Sequence, residues 1–317
     1  MTHADGAAVR QLFDSLKRAP STAERYAPHK PLLLLLALAR LQHGQRGPFG
    51  FAEVEDPMRQ LLTEFGPSNA PNTRHLPYWH LQSDSAGQLW QLQLPDALAQ
   101  HPKGSAPGIT ALRHADVSGG LHPAVEQALQ RDPALLVDVA QRLLDNTFPD
   151  SLHADIANAI GLDLTPPEPK AEYASADYEV GTRRRRDKAF RDKVLRAYEY
   201  RCCVCGFDLR LGHVPVGLEA AHIQWHNVGG PDIETNGLAL CALHHKLFDL
   251  GAFTLDVPTL KVVFSEHALA GTRGMSGELQ HHGKDLLRPV EPEALPAPAY
   301  LQWNWTNVFK REARRLG

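Results

Sequence analysis

The cysteines constrain this chain more than any other feature: Cys202, Cys203, Cys205 and Cys241, its only four, all fall within forty residues of a 317-residue sequence. A secreted disulfide framework spreads its cysteines through a small chain, so this clustering favours metal binding. Cys202 and Cys205 form a C-x-x-C knuckle, and Cys241 with His244 forms C-x-x-H. Two such knuckles supply four soft or borderline ligands, which suits a closed tetrahedral site holding Zn²⁺ as a structural ion. Cys203 is expected to pack beneath the knuckle as a bystander. The alternative is a chance cluster of buried thiols, and the matched spacings weigh against it.

A chain of this length suits two domains of roughly 100–200 residues each. Hydrophobic residues at 43% and charged residues at 22% match ordinary globular composition and exclude wholesale disorder. The longest apolar run, Leu32 to Ala39, is far shorter than the roughly 20 residues of a membrane-spanning helix. It reads as a buried helix, and no membrane partner is expected. The N-terminus carries His3 and Asp5 with no basic-then-apolar pattern, which points to the cytoplasm.

The net charge of −3 argues weakly against a polyanionic partner only if charge is spread evenly, and it is not. From Arg183 to Arg201 nine Lys/Arg face three acids, a local +6. Phosphates respond to charge within about 8–10 Å, so the local patch decides. Arg183, Arg184, Arg185 and Arg186 are the expected contacts to a DNA backbone. A solvated charged helix is the alternative, although Phe190, Val194, Leu195 and Tyr198 give this helix an apolar face for packing.

Helical spacing of Val9, Leu12, Phe13 and Leu16 predicts a first helix ending before Pro20. A second is expected to open at Pro31 and to run through the leucines. Pro67 to Pro77 reads as loop. Tyr78–Leu81 and Leu89–Leu94 then read as the two strands of a hairpin. Asp132 before Pro133 predicts a helix start, and Ser151 is expected to cap the next helix. The Pro-rich stretch from Thr165 sets a linker at about 163–182, between domains at 1–162 and 183–317. Phe253 through Phe264 reads as a further hairpin, and the aromatic tail Tyr300–Lys310 is expected to pack on the second domain's core.

Between the knuckles lie Leu218-Glu219-Ala220-Ala221-His222-Ile223 and Asn236-Gly237-Leu238-Ala239-Leu240, with His245 directly after the second knuckle. In this order the sequence resembles the HNH endonuclease family, whose fold is a zinc-stapled ββα-metal unit. The resemblance covers about residues 183–317 and implies a metal-dependent nuclease. A neutral imidazole near pKa 6.5 can take the proton of an attacking water, and His222 inherits that role. Asn236 inherits the orientation of the His222 ring through hydrogen bonding, and His245 inherits ligation of a catalytic Mg²⁺ or Mn²⁺, which stabilises the charge gathered in the transition state. Many family members place an acid directly before the base, and here that position is Ala221. Glu219, on the same strand face, and Asp249, one helical turn after His245, are both candidate ligands, and Asp249 can equally be a structural cap.

In the first domain, Ala27-Pro28-His29-Lys30-Pro31 and Thr73-Arg74-His75-Leu76-Pro77-Tyr78-Trp79-His80-Leu81 resemble the sulfur-binding domains fused to HNH domains in type IV restriction endonucleases that cut phosphorothioate-modified DNA. The resemblance implies an apolar cup for a polarisable, weakly hydrated sulfur, formed by Pro77, Tyr78 and Trp79, beside His29, Lys30, Arg74 and His75 on the backbone. Leu76 departs from the family, which has an aromatic residue there. A structural alternative makes His29-Lys30 a helix cap and Pro77-Tyr78-Trp79 plain core.

The expected whole is an α+β protein, a helix-and-sheet reader of double-stranded DNA followed by the ββα nuclease, with homodimer formation left open. Two rival readings stand: an HNH nuclease whose first domain flips out and reads a modified base, and a non-catalytic zinc-stapled DNA-binding module.

Overall fold

A computed structural model describes residues 6–16, 27–102, 104–114, 117–165, 188–270 and 277–315. Arg183, Arg184, Arg185 and Arg186, and all of the expected linker after Thr165, lie outside the described residues. The described residues form two compact units, one within 6–165 and one within 188–315. Among them, no helix is long and apolar enough to cross a membrane.

The first unit is mostly helical: α1 (Gly6–Asp14), α2 (His29–Gln42), α3 (Phe51–Phe65), α4 (Leu76–His80), α5 (Asp96–Ala99), α6 (Ile109–His114), α7 (Pro123–Arg131), α8 (Pro133–Asp145) and α9 (Asp150–Ile160). Helix α2 is central. Leu32 to Leu35 and Leu38 are fully buried because α3, α4, α7, α8 and α9 surround it, as an all-round apolar helix requires. It opens at His29, two residues before the expected Pro31. Pro31 still falls in the first turn, where a missing N–H has no intrahelical partner to lose. Helix α8 starts as expected, with Leu135 N donating to Asp132 Oδ1 at 3.0 Å. Helix α9 starts at Asp150 after Pro149, so Ser151 is inside it and does not cap it.

The small sheet runs β1 (Phe49–Gly50), β3 (Ser118–Leu121), β2 (Trp90–Gln93), all antiparallel, with Trp90 opposite Leu121. The expected hairpin of Tyr78–Leu81 with Leu89–Leu94 is not formed. Tyr78 lies in helix α4, and the strand around Trp90 pairs with residues some thirty positions onward. Pro77 presets the first helical turn, and burial of Tyr78 and Trp79 beneath it outweighs strand propensity in so short a run. Gly119 makes this possible: a Cβ there would stand 2.6 Å from Leu92 and 3.1 Å from the Tyr78 ring.

The second unit contains α10 (Lys188–Ala197), the short pair β4 (Arg210–Leu211) and β5 (Val214–Pro215), then β6 (Leu218–His222), β7 (Gly237–Cys241) and α11 (Ala242–Asp249). Strands β6 and β7 pair antiparallel with His222 opposite Gly237 and Leu218 opposite Cys241. Helix α10 lies directly on this pair, since a Cβ at Gly237 would stand 2.4 Å from Val194. The expected second hairpin is present as β8 (Phe253–Leu255) and β9 (Val262–Phe264). The tail forms α12 (Pro298–Asn307), which buries Leu301 and Trp303 and accepts a 2.7 Å hydrogen bond from Thr254 Oγ1 at Asn304 Oδ1. The architecture is a mixture of helices and small sheets, with a ββα unit formed by β6, β7 and α11 at the centre of the second compact unit.

Candidate metal centre and active site

The C-x-x-C knuckle turns back through Gly206, and Cys241 ends β7, so three thiols meet the first turn of α11. Cys202, Cys205, Cys241 and His244 converge as one group of potential ligands. His244 Nδ1 lies 3.6 Å from Cys202 Sγ and 3.2 Å from Cys241 Sγ, and Cys205 Sγ lies 4.0 Å from Cys241 Sγ. Ligands about 2.0–2.3 Å from a tetrahedral ion stand about 3.5–3.8 Å apart, so the set fits a structural metal and is compatible with zinc. Hydrogen bonds from Cys205 and Cys241 push the Cys202 thiol down to about 3, so the cluster favours a thiolate, the form a metal binds. Cys203 is fully buried, and burial raises its pKa.

The other ring nitrogen of His244 lies 2.8 Å from Glu278 Oε2, both atoms buried and not well aligned as a hydrogen bond. Glu278 is 34 positions from His244 in a segment without motif, so the sequence pattern does not mark it.

His222 closes β6, and its ring stacks on Phe190 of α10 at 4.1 Å between centroids and 15° between planes. Its Nε2 donates to Asp232 Oδ1 at 2.7 Å. Asn236, fully buried just before β7, does not make this contact. Its Oδ1 accepts from Gln224 N at 2.8 Å, and its Nδ2 donates to Gln224 O and Pro231 O, both at 3.0 Å. Asn236 thus pins both ends of the loop between β6 and β7, whereas Asp232 in that loop holds the ring. The signal that could have found Asp232 is the Gly229-Gly230-Pro231 turn before it. Gly230 is packed so closely that a Cβ would stand 1.8 Å from Gln224 O.

His245, in the middle of α11, is bracketed by two carboxylates. Nδ1 lies 2.5 Å from Glu219 Oε2 on β6, and Nε2 lies 3.2 Å from Asp249 Oδ2 one turn on. Burial alone would lower the His245 pKa, but Asp249 and Glu219 carry it up to about 10, so this pocket is built to hold positive charge. The two acids differ. Asp249 is 3% exposed and accepts from Trp225 Nε1 at 3.2 Å, whereas the Glu219 side chain is 50% exposed.

In the first unit, His29 Nε2 meets Thr73 Oγ1 at 2.8 Å, which brings the start of α2 beside the turn leading to Arg74 and His75. Burial lowers the pKa of both His29 and His75. Lys30 Nζ lies 2.8 Å from both oxygens of Asp84, a fully buried acid. Arg74 donates to buried Glu55 at 3.0 and 2.6 Å, and Arg113 grips the same carboxylate at 2.5 Å. Tyr78 and Trp79 are 1% and 0% exposed, with Tyr78 Oη donating to Phe49 O at 2.5 Å. They support α4 from beneath and do not face outward. Leu76 is half-buried at the start of that helix and Pro77 is buried beside it, and Arg113, 58 positions from Glu55, carries no sequence signal.

The ScoMcrA-like DNA sulfur-binding domain family matches residues 7–165, and the HNH endonuclease family matches residues 202–256. No curated protein matches the chain. Among solved structures, the modification-dependent TagI restriction endonuclease is 27% identical over 38% of this chain, with a TM-score of 0.29, and the chain spans 37% of its length. The sulfur-binding domain of SprMcrA complexed with phosphorothioated DNA is 24% identical, covering 51% of this chain and 98% of that one, with a TM-score of 0.41. The corresponding domain of ScoMcrA is 21% identical, covering 48% and 94%, with a TM-score of 0.40. The family match spans half of the sequence, and it places this chain in the ScoMcrA-like DNA sulfur-binding domain family, with an HNH endonuclease domain after it.

Proposed function

We propose that the chain is a modification-dependent DNA endonuclease: residues 1–162 read a phosphorothioate, 163–182 link, and 183–317 hydrolyse a phosphodiester bond in double-stranded DNA. The observation that carries this reading is the gathering of His222, Asn236 and His245 on one ββα unit, behind a domain of the sulfur-binding family.

His222 takes the proton of the attacking water, and the scissile bond to the 3′ oxygen breaks as the new P–O bond forms. Asn236 fixes the loop that frames the base. Glu219 and His245 Nδ1 would hold a divalent cation, Mg²⁺ or Mn²⁺, since a carboxylate and an imidazole converge there and Glu219 is open to solvent. When bound, such an ion supplies positive charge to the transition state and the leaving oxygen. Asp249, buried behind the ring, orients His245 from its other nitrogen, in the manner of an outer-shell carboxylate. Cys202, Cys205, Cys241 and His244 would hold a structural Zn²⁺, which would staple the unit.

In the reader, the start of α4 supplies the cup. Leu76 and Pro77 face a sulfur, Tyr78 and Trp79 back them, and His29, Lys30, Arg74 and His75 hold the backbone beside it. Arg183 to Arg186 add contacts to DNA near the nuclease. The test is incubation of the full chain with matched plasmids, sulfur-modified and plain, with Mn²⁺ or Mg²⁺. Cutting of the modified plasmid alone is expected. Equal cutting of both removes the sulfur reading, and no cutting of either removes the nuclease.

A further inference from the structure

We infer that Asp232 is the positioning residue of the general base: it fixes His222 as the Nε2–H tautomer and thereby assigns proton abstraction to Nδ1. This rests on the reading of His222 as the base. An ionised carboxylate can only accept, so the 2.7 Å contact from His222 Nε2 to Asp232 Oδ1 puts a ring proton on Nε2, and in the neutral ring the lone pair then falls on Nδ1. The stack on Phe190 fixes the ring plane, and the Asp232 contact fixes its rotation within that plane. The second carboxylate oxygen lies 3.7 Å from His226 Nε2, so two imidazoles face one acid.

Asp232 is held to the task by the loop. Asn236 Nδ2 donates to Pro231 O, the carbonyl just before Asp232, and to Gln224 O two residues after His222. The same side chain therefore ties down the approach to Asp232 and the exit from His222. The fixed turn at Gly230, where no Cβ fits, closes the loop. Asn236 thus orients the base at one remove, through the residue that touches it. When Nδ1 takes the water's proton, the Asp232 carboxylate balances the imidazolium that forms, as an acid hydrogen-bonded behind a histidine base does.

The test combines kinetics and spectroscopy on the full chain. Asp232→Asn keeps the volume but can present an amide N–H to Nε2, which favours the opposite tautomer. Single-turnover cleavage of phosphorothioate plasmid with Mn²⁺ should fall about 100-fold, while DNA affinity, zinc content and Tm stay unchanged. In ¹⁵N histidine spectra, the His222 signal, assigned by its loss in His222→Gln, should show Nε2–H in the wild type and lose that signature in Asp232→Asn. Asp232→Ala serves as the second variant if the amide lowers Tm, with the same expectation. Cleavage within twofold of wild type by these variants, while His222→Ala is inactive, overturns the role of Asp232 and leaves the base in place. If His222→Ala cuts normally, or wild type cuts nothing, the base reading itself fails. The spectra then decide the pairing alone, and an Nδ1–H wild type overturns it.

Discussion

His244 Nε2 lies 2.8 Å from Glu278 Oε2, on the side of the ring opposite the thiols that face Nδ1. A carboxylate close behind a ligating histidine raises the ring's basicity and so strengthens its donation to the metal. The purified protein should hold one zinc per chain, and Cys241→Ser should lose it with a large fall in Tm. Glu278→Gln should keep the metal but bind it about 10–100-fold more weakly, as read by chelator competition. Unchanged zinc affinity in Glu278→Gln would show that the carboxylate is a bystander.

Glu219 and Asp249 touch the two nitrogens of one imidazole, but only Glu219 is open to solvent. Glu219→Gln should abolish both cleavage and the tightest Mn²⁺ binding. Asp249→Asn should weaken Mn²⁺ binding about 10–100-fold while retaining a bound ion, because it disturbs the ligand's orientation and leaves the ligand in place. Titration followed by electron paramagnetic resonance separates the two. The reverse ranking would make Asp249 the ligand.

Glu55 is gripped by Arg113 and Arg74, and their hydrogen bonds hold its pKa at about 2, below the usual 4.5. The folded value is the lower one, so the stabilisation is fully present above about pH 4.5 and is lost as pH falls toward 2. Denaturant unfolding between pH 6 and pH 3 should show wild type losing stability more steeply than Glu55→Gln. Parallel curves would mean that the acid sensitivity lies elsewhere.

What was legible in the sequence follows from the range of the interactions. Asp132 before Pro133 fixes the start of α8 through contacts two or three residues away, and the order of knuckle, His222, Asn236 and His245 places a ββα unit because each role needs one residue type at one spacing. Tyr78 reads as strand from its neighbours, yet it is helical because Phe49 and Gly119, distant in sequence, close over it. Asp232 is marked only by the glycine turn before it and Glu278 carries no motif, and folding alone brings each of them to a histidine. The same holds for the acids that engage Lys30 and Arg74, which lie 54 and 19 positions from them.

Those pairings change how sulfur recognition must be tested. Lys30→Ala leaves buried Asp84 without this cation, which should cost about 3 kcal/mol of stability, and Tyr78→Ala should unfold the first unit because the ring is core. Neither reports cleanly on DNA, so the informative variants are at the surface of α4. The full chain with His222→Ala, which keeps DNA uncut, should bind a phosphorothioate duplex more tightly than the plain one without any divalent metal. Both duplexes carry nearly the same charge, so the cations supply affinity and the apolar cup supplies the preference. Raising salt should weaken both complexes with a similar slope and leave their ratio almost unchanged. Leu76→Ser should lower that ratio at unchanged Tm, and Pro77→Ser should lower it with some loss of Tm because Pro77 is buried in the first turn of α4, whereas His75→Ala should weaken both complexes together. A ratio that stays near one for the parent protein across salt would remove sulfur as the recognised feature, and a ratio that survives both serine variants would move the cup away from α4.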